Sequence, residues 1–131
     1  MVDAVDGRWP VEGIPDGDRL FMRMHRNFYD FADGRPLPTA FRDHGGSMST
    51  DWEKYSTAEE TRNRIDPSKD PLDNAVIALV VQRVRAIRGL RVEHSPDYAH
   101  HNRAHVDVFG DKKAPGVRLT LSQICIVEIP L

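Results

Sequence analysis

The run AVIALVV, Ala75 to Val81, is the longest uninterrupted apolar stretch of the chain. It is rich in β-branched residues and follows the turn-forming segment DPSKDPLDN, so it predicts a buried central strand. It is far too short to span a bilayer, which takes about 20 apolar residues. At 131 residues the chain fits one domain. A globule of that size buries about two-thirds of the surface its unfolded chain exposes, so it needs no covalent staples. The single cysteine, Cys125, excludes an internal disulfide and any multi-cysteine zinc site. It lies in ICIVEIP among Ile124, Ile126 and Val127 and reads as a core residue.

The rest of the chain is built around that strand in short periodic pieces. RLFMRMH (19–25) alternates, with Leu20, Met22 and Met24 on a core face and Phe21, Arg23 and His25 on the other. RDHGGSMST (42–50) reads as a loop entering a short extended piece. STAEETRNR (56–64) predicts a helix that ends before Pro67, with Ser56 and Glu59 at capping-box spacing. QRVRAIRG predicts a short helix ending at Gly89. LRVEH (90–94) and AHVDVFG (104–110) alternate as strands. VRLTLSQICIVEIP closes the chain as a strand, or as a short helix followed by a strand. The expectation is a compact single α+β domain over residues 19–131, with a mixed sheet of about five strands and two or three short helices. Residues 1–18 are acidic and poor in apolar residues, and predict a loosely ordered arm.

The formal net charge of −2 argues against a dedicated polyanion binder but leaves room for a local basic groove. The N-terminus has no apolar h-region, and a cytoplasmic protein without membrane contact is expected.

Chemistry concentrates in VEHSPDYAHHNRAHVDVFG (92–110), which holds four of the six histidines. As a metal site the segment is weak. His100, His101 and His105, with Asp107 or His94, lack both H-E-x-x-H spacing and paired cysteines. His100 and His101 read as solvent-facing, and no metal or other cofactor is expected. As an acid–base site it is stronger. His94 ends one strand and His105 starts the next, so a hairpin would bring them together, with His25 beside Arg23 on a nearby polar face. Two imidazoles and an arginine are what metal-independent phosphodiester cleavage requires: one ring takes a proton, the other returns it, and the guanidinium holds the phosphate. Structural roles for individual histidines, as strand-end hydrogen-bond partners, are the competing reading.

Three further features carry candidate chemistry. The stripe Arg83, Arg85, Arg88, Arg91 suits phosphate or an acidic partner, or is a solvated helix face that balances the acidic arm. SMSTDW follows Gly45-Gly46 and supplies Ser49 and Asp51, but it has neither a P-loop lysine nor a G-x-S-x-G elbow. Arg23, Ser49 and Glu93 also trace the loose outline of an ADP-ribosyltransferase-like NAD site.

RLFMRMH, PTAFRD, SMSTDWEKYSTAEET, LRVEHSP and NRAHVDVFG together resemble a family of small bacterial proteins with an early basic strand, an AF-x-D step and a later N-x-AH…G turn. The resemblance covers roughly residues 19 to 113 and attaches no activity. It implies a bacterial source and groups Arg23, Asp43, Ser49, Asp51, Asn102 and His105 in one shared feature.

These readings converge on a pocket with His105, His94 and His25 as catalytic residues. Arg23, Arg103, Asn102, Ser49 and Asp51 are its binding residues, and the expected chemistry is metal-independent on a phosphodiester or phosphate. The ligand would be an anionic small molecule or a nucleic acid. The alternative is a non-catalytic adaptor or regulatory module of a bacterial operon that meets its partner protein through Arg83, Arg85, Arg88 and Arg91.

Overall fold

The alternation in RLFMRMH is realised as drawn. The computed structural model describes residues 8–131, and in it this segment is strand β1 (Arg19–His25), with Leu20, Met22 and Met24 buried. A two-strand ribbon follows, β2 (Tyr29–Asp30) and β3 (Arg35–Pro36), and then β4 (Met48–Trp52). Helix α1 (Ala58–Asn63) leads to β5 (Asn74–Val80), the predicted apolar strand. Helix α2 (Val81–Arg85), β6 (Arg91–His94), β7 (His105–Phe109), helix α3 (Val117–Ile124) and β8 (Ile126–Ile129) complete the chain. The main sheet has six strands in the order β6-β7-β4-β1-β5-β8, and every pairing within it is antiparallel. The fold is α+β.

One face of the sheet carries the large core. Leu20, Met22, Met24, Met48, Trp52, Ile77, Leu79, Val92, Val106 and Val108 pack there with Phe41, Val84 and Leu121. Burying each large side chain contributes about 1.5–3 kcal/mol. On the opposite face a smaller apolar cluster lies over β5 and its neighbours β1 and β8, where Phe21, Val76 and Ala78 meet Ala58 of α1 and Ile129. This second cluster explains why β5 lacks alternation: it is covered on both faces. Cys125 is buried, as its neighbours predicted.

Helix α1 starts one residue later than its sequence suggested. Thr57, not Ser56, is the N-cap, and its hydroxyl accepts from the Glu60 N–H at 3.1 Å while Glu60 accepts from the Thr57 N–H at 2.9 Å. Ser56 is committed elsewhere, within 2.9 Å of the Thr61 hydroxyl.

The acidic arm falls partly among the described residues. Residues 1–7 lie outside the described residues. From residue 9 onward the chain is held to the body: Trp9 stacks on Tyr98 at 5.1 Å, Ile14 is buried, and Asp18 accepts from Trp52 Nε1 at 2.9 Å. One buried isoleucine and specific hydrogen bonds order a segment whose mean composition is polar. Among the described residues no helix is long and apolar enough to cross a membrane.

The sheet is not closed between β1 and β4. β1 pairs with β5 along its whole length, but with β4 only at Leu20–Trp52 and Phe21–Asp51. Beyond Phe21 the two central strands part. A groove of about 1340 Å3 opens there, flanked by the loop after α1 and by the loop carrying Asp97 and His100.

Candidate active site

Strand parity decides which side chains reach this groove. On β1, Arg23 and His25 share the face of Phe21 and point away from the main core. On β4, Ser49 and Asp51 share that face, and register sets Ser49 opposite Asp107 and Asp51 opposite His105 on β7. Arg23, His25, Ser49, Asp51, Asn102 and His105 all line the groove.

Its first element is a serine–histidine pair. His105 Nε2 lies 3.2 Å from Ser49 Oγ, and His105 Nδ1 lies 2.9 Å from the Ser95 carbonyl oxygen. A carbonyl only accepts, so Nδ1 carries the proton, and Nε2 turns a lone pair toward the serine hydroxyl. The Ser95 hydroxyl, 3.0 Å from Nδ1, donates its own proton to Asp107 at 2.7 Å. Ser47 donates to the other oxygen of Asp107 at 2.6 Å. Asp107 stands 3.8 Å from His105 Nε2, placed to stabilise an imidazolium when it forms.

Its second element is a buried carboxylate that fixes the cations. Asp51 Oδ2 accepts from Thr61 Oγ1 at 2.8 Å and from Arg64 Nη1 at 2.5 Å, while Oδ1 accepts from Asn102 Nδ2 at 2.8 Å. Arg23 donates through Nη1 to the Thr61 carbonyl at 2.8 Å. Burial works to depress the Arg23 guanidinium, the Asp51 charge opposes this, and Arg64 adds to the depression. Arg23 nonetheless stays charged, as guanidinium does in proteins. On the rim, Asp97 is held below the ordinary carboxylate range. Burial pushes it up, but the His100 ring at 2.8 Å and the His100 N–H at 3.3 Å outweigh that.

The structure separates two predicted residues from this group. His94 lies on the opposite face of the sheet, buried against Trp52 and Tyr55. Both its ring nitrogens are engaged: Nδ1 accepts from the Glu12 N–H at 3.0 Å, and Nε2 donates to the Arg103 carbonyl at 2.7 Å. The pairing of His94 with His105 as acid and base therefore fails. The signal was in the sequence, since His94 shares parity with Val92 while His105 opposes Val106 and Val108. Arg103 is also no anion clamp for the groove. Its guanidinium lies over the Tyr55 ring at 4.2 Å and 3.9 Å from Glu12, on the His94 side.

Other expectations resolve one by one. His25 lines the groove, with Nδ1 accepting from the Asn27 N–H at 3.1 Å. Of the six residues grouped by the resemblance, five line the groove, whereas Asp43 accepts from Lys112 at 2.6 Å. Lys112 is buried and also donates to the carbonyls of Val108 and Gly110. Arg85 is bonded to the arm at the Ile14 carbonyl and Asp16, and Arg91 pairs with Glu93 and covers the Phe109 ring. Arg83 and Arg88 remain exposed. Glu93, on the outer strand β6, does not reach the groove, which removes the ADP-ribosyltransferase-like outline. Among the described residues no three His, Cys, Asp or Glu side chains are arranged to hold a metal.

Thr61 and Arg64 were missed by sequence reading. They lie three apart at the end of α1, so one turn of helix turns both to the same side, but nothing in the sequence says that this side meets Asp51. No family model, curated protein or solved structure matches the chain.

Proposed function

We propose that the groove is the active site of a small enzyme that cleaves phosphate esters with its own imidazole, hydroxyl and guanidinium groups. The observation that carries this reading is the 3.2 Å contact between Ser49 Oγ and His105 Nε2, in an open groove that also holds Arg23 and Arg64. A hydroxyl beside a base whose other nitrogen is fixed by a carbonyl is an activated nucleophile. Two arginines are suited to a tetrahedral anion, because each presents several N–H donors.

In this reading Arg23 and Arg64 hold the phosphoryl oxygens. His105 Nε2 takes the proton of Ser49 Oγ as that oxygen attacks phosphorus. The P–O bond to the leaving alcohol breaks, and the alkoxide oxygen collects a proton from the groove, where His25 stands. The His105 imidazolium releases its proton to the solvent of the groove. Water then cleaves the phosphoserine, His105 accepting the water's proton and passing it to Ser49 Oγ as that P–O bond breaks, and inorganic phosphate or a phosphomonoester departs. Asp107 stabilises the imidazolium at each step.

The test is turnover of a panel of aryl phosphates and phosphodiesters by wild type, Ser49→Ala and His105→Ala. Positioned general-base catalysis contributes about 10²–10⁴-fold, so each variant is expected to lose at least about 100-fold in kcat while remaining folded. Intact-protein mass spectrometry after an acid quench should show one added phosphoryl group on wild type and none on Ser49→Ala. Full activity in Ser49→Ala, or no turnover by wild type across the panel, would sink the proposal.

A further inference from the structure

The parting of β1 and β4 ends their ladder inside the sheet. The Val81 N–H bonds the Asp18 carbonyl at 2.9 Å, which fixes the even-numbered residues of β1 as those whose N–H and C=O face β5. Its odd-numbered residues face β4, as the bond from the Glu53 N–H to the Arg19 carbonyl at 3.0 Å shows. On β4, the bond from the Trp52 N–H to the Ala104 carbonyl at 2.8 Å assigns even residues to β7 and odd residues to β1. The ladder between β1 and β4 stops after Phe21–Asp51. Arg23 and Ser49, which the register would make the next hydrogen-bonding pair, thus have their N–H and C=O groups on the side of the strands where the groove lies. The lining agrees: consecutive residues from Phe21 through His25 border the groove, including the buried, core-facing Met22 and Met24, and Phe28 and Ala40 also contribute apolar lining.

We infer that this slot binds an extended peptide, which adds its main chain to the open strand edges and carries a phosphorylated side chain to Ser49, Arg23 and Arg64. The inference rests on the phosphate-ester reading for its chemistry, but on the strand edges for its ligand. Alternating donors and acceptors at strand spacing suit a peptide main chain, which offers both in return. They suit a polynucleotide less well, since its phosphates offer only acceptors and its 2′-hydroxyls do not alternate with them at strand spacing. Beyond Arg23 and Arg64 the groove is lined by Asp66, Asp70, Asp73 and Asp97 against Arg42 and Lys69, so it carries no surplus of positive charge for a run of phosphates, while a single phosphate meets the two arginines.

The experiment uses 15N-labelled full-length protein and four probes. These are an acetylated, amidated pentapeptide with phosphoserine between valines, its unphosphorylated parent, the same phosphopeptide N-methylated at both valines, and a uridine trinucleotide. The expected result is saturable binding of the phosphopeptide. The Arg23 and Ser49 amides should shift and become protected from exchange, with about tenfold weaker binding after N-methylation. A methylated peptide that binds as well as its parent overturns the inference, as does preferential binding of the trinucleotide. Turnover of aryl phosphates without any peptide binding also overturns it while leaving the phosphate-ester reading intact. Peptide binding at Arg23 and Ser49 with no turnover of the phosphopeptide or of any aryl phosphate or phosphodiester supports the slot and removes the enzyme.

Discussion

Replacing Asp51 by alanine removes the acceptor on which three side chains converge. Thr61 Oγ1 and Asn102 Nδ2, each 2.8 Å from the carboxylate, belong to residues only 2% and 5% exposed, so water cannot replace the lost partner freely. An orphaned buried donor costs about 1–3 kcal/mol. Thr61 keeps its contact with Ser56 at 2.9 Å, which puts it at the low end. Arg64, with 27% of its side chain exposed, regains water and adds little. The sum is a destabilisation of about 2–4 kcal/mol. Unfolding entropy near 60 °C scales as about 2.1 cal/mol/K per residue, so the midpoint should fall by about 7–15 °C. Asp51→Asn keeps one carbonyl acceptor, and about half that loss is expected. Urea titration and thermal melts followed by circular dichroism measure both. A loss below about 1 kcal/mol for Asp51→Ala would show that this network does not hold α1 to the sheet, and that Arg64 is not fixed in the way described.

Three further outcomes follow from other parts of the fold. His94→Ala is expected to destabilise the protein by about 2–4 kcal/mol through its lost core contacts and two hydrogen bonds, with kcat toward an aryl phosphate unchanged. His105→Ala should show the reverse, and paired denaturation and rate measurements separate them. The Glu12 carboxyl is held below its ordinary 4.5: burial pushes it up, but hydrogen bonds from Lys54 and Tyr55 outweigh that. A depressed carboxyl adds stability above its unfolded value and loses it as pH falls through the folded value. The stability gap between wild type and Glu12→Gln should therefore be open above pH 4.5 and narrow progressively below it, as read by urea titrations across that range. Gly110→Ala should be among the most damaging surface changes. Gly110 sits at φ +118°, and an added Cβ would lie 2.3 Å from the Gly89 carbonyl oxygen and 2.7 Å from Leu90 Cδ2. A loss of at least about 2 kcal/mol in thermal denaturation is expected.

Period alone carried much of the fold. The alternation of RLFMRMH, LRVEH and AHVDVFG fixed the strands and the side each residue faces, because side chains in a strand alternate without exception to the pleat. The run AVIALVV fixed a strand buried on both faces. The same parity, followed through, places His94 with Val92 in the core and His105 outside it. Proximity of two strand ends suggested a pair; parity set the rings on opposite faces of the sheet. Local pattern could not supply what depends on distant partners. The burial of Lys112 requires Asp43 and two carbonyls from β7 and its turn. The ordering of the arm requires Trp52, His94 and Tyr98. The site itself depends on a sheet that zips from β1 to β4 for two residues and then opens, which no residue on either strand announces. That opening brings Ser49, His105, Arg23 and Arg64 into one groove from four separate segments. The sequence by itself determined which residues turn away from the core, since that is a property of each strand. Only the tertiary structure decided which of them meet, since that follows from register and from where pairing stops.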